Sequence, residues 1–296
     1  MAMRSSALPV LTVLPVLTVL GVITLLWYVA AVWMNAPWVY DQAARAGAAV
    51  DLRGLIGQTL TQERPVLPAP HQVAQGLWDG IAGQAVTSKR SLVYHAWVTL
   101  SATLLGFVIG TTAGVLLAIG IVHNRAMDQS VMPWAIASQT IPILAIAPMI
   151  IVVLNSMGVQ GLVPKAIISA YLSFFPVVVG MVKGLRAPDA MQLDLMRTYN
   201  AGGGATLAKL RLPSSMPYLF ASLKVGIAAS LVGTIVGELP TGAVAGLGSR
   251  LLSGSYYGQT VQIWAALFGA ALVAASLVAI IGMVERVTLR RMGMAR

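Results

Sequence analysis

Apolar residues in this chain fall in long runs rather than in the alternating or one-faced patterns of a soluble protein. The runs cover about Leu8–Val32, Leu92–Val122, Val131–Leu154, Pro164–Val182, Pro217–Leu239 and Thr260–Val284. Crossing the hydrocarbon of a bilayer takes about 20 residues of helix, and each run has roughly that length. A lone span must satisfy its own backbone hydrogen bonds, so helices are expected. The short alternating segments of a transmembrane β-barrel are not seen. The pattern predicts an all-α integral membrane protein of about six transmembrane helices. Trp27, Tyr28 and Trp33 close the first run like an interfacial belt. That run exceeds the apolar stretch of about 7–15 residues in a signal peptide, so it reads as an anchor following Arg4. The third run is interrupted by Pro142 and Pro148.

Composition agrees with this reading. Hydrophobic residues make up 57% of the chain and charged residues 9%, with a mean hydropathy of +0.81. A soluble domain carries about 25% charged residues. The chain has no cysteine, which excludes a disulfide framework, a Cys-ligated zinc site and an iron–sulfur cluster. Its net charge of +10 fits basic loops lying against anionic lipid and needs no nucleic acid partner.

Lys and Arg in the short connections set the orientation. With the N-terminus cytoplasmic, the cytoplasmic side holds Arg4, Arg125, Lys183, Arg186, Arg197, Lys209, Arg211, Arg286, Arg290, Arg291 and Arg296. The short outer connections hold Lys165 and Arg250. Both termini are then cytoplasmic. Residues 1–34 read as an anchor helix and 35–91 as a periplasmic connection. Residues 92–286 read as the membrane core, and 287–296 as a basic tail. In the connection, Pro65, Pro68 and Pro70 precede a helical-looking run from His71 to Gln84.

One stretch breaks the pattern. "DLMRTYNAGGGATLAKLRLP", from Asp194 to Pro213, is polar, basic and glycine-broken. Pro188 suits a first helical turn and Asp189 suits a helix N-terminus. A short helix is expected to run to about Tyr199 and end at Asn200, which tolerates the left-handed conformation. Gly202, Gly203 and Gly204 are expected to force a turn. A second short helix, Thr206 to Leu212, would carry Lys209 and Arg211 at its negative end and stop at Pro213. Residues 187–213 thus read as a helix–turn–helix elbow on the cytoplasmic side.

Other chemistry is sparse. "GGGATLAK" lacks the G-x-x-x-x-G-K-[ST] spacing, and no strand precedes it. His71, His95 and His123 show no metal-ligand spacing and read as surface or interfacial residues. No paired carboxylates or nucleophile motif stand out, so no catalytic, cofactor or metal site is assigned. Lys224 reads as snorkelling. Glu238, near the outer end of the fifth run, is either interfacial or part of a gate. Ser138, Gln139, Thr140 and Pro142 must face protein or water, either lining a pathway or joining helices. Gln139, Thr140 and Glu238 are the candidates for a translocation path. Phe174, Phe175 and Pro176 read as core packing in preference to a gate.

The elbow resembles the "EAA" loop of membrane subunits of ABC importers fed by an external binding protein. Asp194, Leu195 and Met196 take the E-A-A positions, Asn200 stands at the glycine position, and Leu212–Pro213 supplies the L-P. "LPAP" at Leu67–Pro70 resembles the family's L-P-x-P. "LPSSMPYLFASLKVGIAASLVGTIVGEL" resembles its fifth span, and "GLGSRLL" at Gly246–Leu252 the loop after it. The similarity covers about residues 65–290. It looks nearest the nitrate, sulfonate, taurine and pyrimidine-precursor permeases.

The resemblance implies a type I ABC importer permease fold in a bacterial inner membrane. It also implies a second permease copy, two cytoplasmic ATPase subunits that hold the ATP and Mg, and a periplasmic binding protein. Homodimerisation is the simplest assembly, a heterodimer the alternative. The ATPase-coupling residues would be Asp194, Leu195, Met196, Arg197, Thr198, Tyr199, Asn200, Ala201 and Gly202. The solute would be a small polar or anionic molecule. The rival readings are a secondary transporter or channel, for which no internal repeat is seen, and a membrane enzyme.

Overall fold

The computed structural model describes residues 8–240 and 245–294, with side chains from Leu14 onward. Every regular element among them is helical. The chain divides into two compact units, Met1–Val86 with Leu251–Phe268, and Thr87–Arg250 with Gly269–Arg296.

In the first unit, α1 (Leu8–Ala46) runs well past the apolar stretch that predicts it. It is followed by α2 (Leu52–Leu60), capped by the Asp51 carboxylate accepting from the Leu52 N–H at 2.8 Å, and by α3 (Pro70–Ile81). The proline-rich segment before α3 is stapled to α1. Asn35, fully buried, donates from Nδ2 to the Leu67 carbonyl at 2.9 Å and accepts the Val66 N–H at 2.7 Å. Trp27 donates from Nε1 to the Pro68 carbonyl at 3.0 Å and stacks on Phe268. Non-helical backbone next to a membrane persists only where protein satisfies its polar groups, and these two side chains do so.

The second unit is built on three packed spans. Its elements are α4 (Leu92–His123), α5 (Arg125–Ser138), α6 (Ile143–Ser156), α7 (Leu162–Leu185), α8 (Ala190–Thr198), α9 (Gly203–Thr206) and α10 (Leu212–Glu238). A π-turn, Leu207–Arg211, joins α9 to α10. Two further helices, α11 (Leu247–Tyr256) and α12 (Thr260–Arg291), are shared between the units.

Small residues let α4, α7 and α10 approach closely, the usual solution where lipid gives no hydrophobic drive to helix pairing. A Cβ at Gly106 would stand 2.5 Å from the Ala166 carbonyl oxygen, and one at Gly114 would stand 3.0 Å from that of Phe174. Gly110 meets Ala170 and Ser173 in the same way. Buried hydroxyls pin the register. Thr103 donates to Thr234 at 3.0 Å, Ser230 to the Thr103 carbonyl at 3.0 Å, and Ser169 to the Ser230 carbonyl at 2.9 Å. Such bonds average about 0.6 kcal/mol in membranes, so they choose the alignment more than they supply stability.

These contacts fix the direction of each span. Gly106, Gly110 and Gly114 of α4 meet Ala166, Ala170 and Phe174 of α7 in ascending order, so the two helices run parallel. On α7 and α10 the order is reversed: Gly184 meets Ser215, Gly180 meets Ser222, and Gly233 meets Ser169. Parallel α4 and α7 require the chain between them to return across the membrane. That return is α5 with α6, bent by 98° at a break of four residues. Counted as one crossing, the pair brings the candidate spans among the described residues to six, five of them single long helices.

The break falls at Gln139–Pro142. Proline supplies no N–H and disfavours helical backbone in the residue before it. Pro148, expected to interrupt the same span, sits inside α6 without breaking it. Phe174 packs against the cluster of Ala118, Ile121, Val177, Val178, Met181, Val182 and Leu185, a core position as expected.

Candidate functional site

The two ends of α10 hold the two places where the sequence spends polar residues. At its start is the elbow. The Asp189 carboxylate accepts the Gln192 N–H at 2.8 Å, and Gln192 Oε1 accepts the Asp189 N–H at 3.2 Å. This reciprocal box starts α8, so Pro188 lies just outside the helix and not in its first turn. At the other end, Ala201 N–H bonds the Met196 carbonyl at 2.9 Å and Asn200 N–H that of Arg197 at 2.8 Å. That pair is the Schellman closure, and it requires the left-handed backbone that Asn200 adopts, with φ 51°.

The elbow differs from expectation at two points. Gly202 has φ −65°, and neither Gly203 nor Gly204 takes a positive φ. The turn is therefore made by Asn200, and the glycines begin the next helix. Pro213 does not stop that helix. The π-turn ahead of it widens the backbone, and α9 runs on into α10.

The second limb of the elbow is fixed to the spans. Leu207 and Leu212 pack on the cluster around Leu185. Arg211 donates to the Leu185 carbonyl at 2.8 Å, closing the end of α7. Arg186 pairs with Asp128 of α5 at 2.8 Å. The first limb is different: α8 has no buried residue. Met191, Leu195 and Tyr199 are 76%, 56% and 79% exposed. Spaced by four, they form one stripe along the helix. Asp194 and Arg197, paired at 2.9 Å, flank it. Thr198 bonds the Leu195 carbonyl at 2.7 Å, Met196 and Ala201 are half-buried, and Gly202 is exposed. An apolar stripe on a polar helix is a candidate surface for a partner.

At the far end of α10, Glu238 is 0% exposed and holds a loop in place. Thr99 of α4 donates to its carboxylate at 2.9 Å, and the Gly248 N–H donates at 2.9 Å. Lys165 of α7 is 3.5 Å away and donates to the Ala245 carbonyl at 3.0 Å. The Leu247 N–H bonds Thr99 Oγ1 at 2.8 Å. The Gly246 N–H donates to His95 Nδ1 at 3.0 Å, which leaves Nε2–H to donate to the Lys89 carbonyl at 2.9 Å. His95 is thus a buried loop anchor, not the surface residue that its sequence suggests.

Gly246 has φ +131°, and a Cβ there would fall on the Glu238 carboxylate. Gly246→Ala is therefore expected to cost at least about 1–3 kcal/mol of backbone strain and to release the loop. Maleimide labelling of a Ser249→Cys probe, a buried position in a chain without cysteine, should speed up in that variant.

A cavity of about 790 Å3 opens beside this cluster, lined among others by Tyr94, Trp97, Asn155, Gln160, Lys165 and Ala245. Gln139 and Thr140 lie elsewhere, exposed at the α5–α6 break, where Thr140 bonds the Ala137 carbonyl at 2.7 Å. Lys224 does not snorkel alone: it pairs with Glu285 of α12. The roles of Lys165, Thr99 and His95 are not visible in the sequence pattern. The repeat of Thr99 and Thr103 at helical spacing inside an apolar run is the one signal that could have found part of the cluster.

Comparison with known proteins bears on this geometry. The chain is 30% identical over 225 residues to the riboflavin transport system permease protein RibX of Chloroflexus aurantiacus, covering 76% of this chain and 80% of that one. It is 27% identical over 184 residues to the formylaminopyrimidine transport permease protein ThiX of Halalkalibacterium halodurans, covering 62% and 68%. It is 24% identical over 219 residues to the nitrate import permease protein NrtB of Leptolyngbya laminosa, covering 73% and 76%. Residues 110–293, which hold α7, the elbow, α10 and the Glu238 loop, match the model of the binding-protein-dependent transport system inner membrane component, and the chain belongs to that family of ABC transporter permeases.

Proposed function

We propose that this chain is the membrane subunit of an ATP-driven importer, and that its elbow seats on a separate cytoplasmic ATPase. The observation that carries the reading is the division of labour within the elbow. One limb presents Met191, Leu195 and Tyr199 to the outside, and the other is packed on and hydrogen-bonded to the end of α7, whose cap Arg186 pairs in turn with Asp128 of α5. A force applied to α8 reaches the spans through Leu207, Arg211 and Arg186. ATP and Mg belong on the partner. Their binding and hydrolysis would bias a two-state equilibrium between inward-open and outward-open forms.

The remaining partners follow the same logic. One chain carries one elbow, so a second copy of the permease would complete a pair of docking sites, most simply by two-fold symmetry. Lys183, Arg186, Arg197, Lys209 and Arg211 collect at the elbow end of the spans, which supports a cytoplasmic location for that end. Six crossings would put both termini on that side, in a bacterial inner membrane. A solute-loaded binding protein would dock at the opposite end. The solute would be small and polar or anionic, as the names of the relatives suggest for them.

Vesicles containing this chain, its co-purifying ATPase and the binding protein should take up solute only with ATP inside the ATPase compartment. Uptake that proceeds without ATP or without any ATPase subunit contradicts the reading. Glu238→Gln should change uptake kinetics while leaving the complex assembled, because it loosens the loop at the far end of α10 but leaves behind only Lys165, which is partly exposed and still bonded to the Ala245 carbonyl. Unchanged kinetics would make the cluster a purely structural one.

A further inference from the structure

The cavity beside Glu238 combines features that a packing defect would not. Its walls carry two aromatic side chains, Tyr94 and Trp97, and two amides, Asn155 and Gln160. Asn155 and Gln160 are exposed, and their amides belong to no hydrogen bond described within the protein. Lys165 lines the same space. An ammonium has three N–H donors. One is used on the Ala245 carbonyl at 3.0 Å and one faces Glu238 at 3.5 Å. The side chain keeps 13% of its surface open, which leaves the third donor for the cavity.

Size narrows the occupant. Ligand cavities usually span about 300–1,000 Å3, and this one, at about 790 Å3, is far larger than a small inorganic anion needs. Aromatic walls reward a flat ring through stacking. Amides offer both donors and acceptors to the edge of such a ring, and the lysine offers a charge-assisted bond to one of its oxygens.

We propose that this cavity is a transient binding site in the permease for a planar, ring-bearing solute with polar edges, held between Trp97 and Tyr94 and accepting a hydrogen bond from Lys165. The proposal rests on the transport reading and specifies its substrate class. It also ties the solute to the loop held by Glu238. The lysine that receives the solute is the one that neutralises Glu238, so an occupant competes for the ammonium that helps hold the Ala245–Gly248 loop in place.

The test is equilibrium dialysis on the permease–ATPase complex in nanodiscs, with riboflavin, formylaminopyrimidine, nitrate and an alkanesulfonate as probes up to millimolar concentration. At least one ring probe should bind, and Trp97→Ala should weaken it tenfold or more. Asn155→Ala should weaken it by a smaller factor. Both residues are exposed, so these variants should assemble normally, and complex yield checks that they do. Binding of neither ring probe, binding of nitrate or sulfonate in their place, or ring binding indifferent to Trp97 and Asn155 overturns the site. ATP-dependent uptake measured on the same complex keeps the two claims apart. Uptake without binding at this cavity removes the site and leaves the importer standing, whereas ATP-independent transport removes the importer reading itself.

Discussion

Lys165→Met is expected to be among the most destabilising single substitutions in this chain. Glu238 is fully buried, and Lys165 is the cation beside it, 3.5 Å from its carboxylate. Removing one partner of a buried pair leaves an uncompensated charge and costs about 3–5 kcal/mol. Thr99 and Gly248 would still donate to the carboxylate, but neither brings positive charge. The whole stability of a protein is about 5–15 kcal/mol, so the loss should show as a large drop in membrane abundance and in melting temperature in detergent. Adding Glu238→Met should restore part of it, because removing both charges is far less costly than stranding one. If Lys165→Met melts like the parent, the pair does not hold the loop.

The second large effect concerns docking and leaves folding untouched. Leu195 and Tyr199 touch little within the chain, so substituting them should change stability by no more than about 0.5 kcal/mol. At an interface such residues become anchors. Truncating an anchor costs about 2 kcal/mol or more, and each 1.4 kcal/mol is about tenfold in affinity. The double variant Leu195→Asp, Tyr199→Ala should therefore insert at normal levels, lose the ATPase in pull-down by well over a hundredfold, and transport nothing. Asn200→Val attacks the same surface through the backbone. A β-branched residue is strained at φ 51°, at a cost of roughly 1–2 kcal/mol, and the Schellman closure that ends α8 should fray. Normal pull-down and uptake in both variants would show that the stripe is not a docking face.

Run length and proline placement carried most of the fold. Six long apolar stretches are legible because a span needs nothing but length and hydropathy. The kink near Pro142 is legible because proline lacks a donor. The left-handed Asn200 could be read from its place after a short helix. Local signals failed where neighbouring elements decide the outcome. Pro213 looks like a terminator, yet a π-turn absorbs it, because Leu207, Arg211 and Leu212 are held against α7. Gly202–Gly204 look like a turn, but the Schellman closure has already turned the chain.

The buried cluster was the least legible part. His95, Thr99, Lys165, Glu238 and Gly246 lie far apart in sequence, and no spacing rule links them. Only the parallel packing of α4 on α7 and the reversed packing of α10 bring them together. The same packing shows why Gly246 has no Cβ: the space belongs to a carboxylate from another helix.

The most direct measurement of the central claim uses the absence of cysteine from this chain. A single Leu195→Cys, placed in the middle of the exposed stripe, can be cross-linked in native membranes by a short bifunctional thiol reagent to cysteines introduced across the co-purifying ATPase. Trp134→Cys, exposed on α5 and away from the elbow in sequence, serves as the comparison. Docking by the elbow predicts a cross-link from position 195 to one groove of the ATPase, with a yield that changes when ATP is added, and none from position 134. Cross-links absent at 195, or equal at both positions and indifferent to ATP, would contradict it.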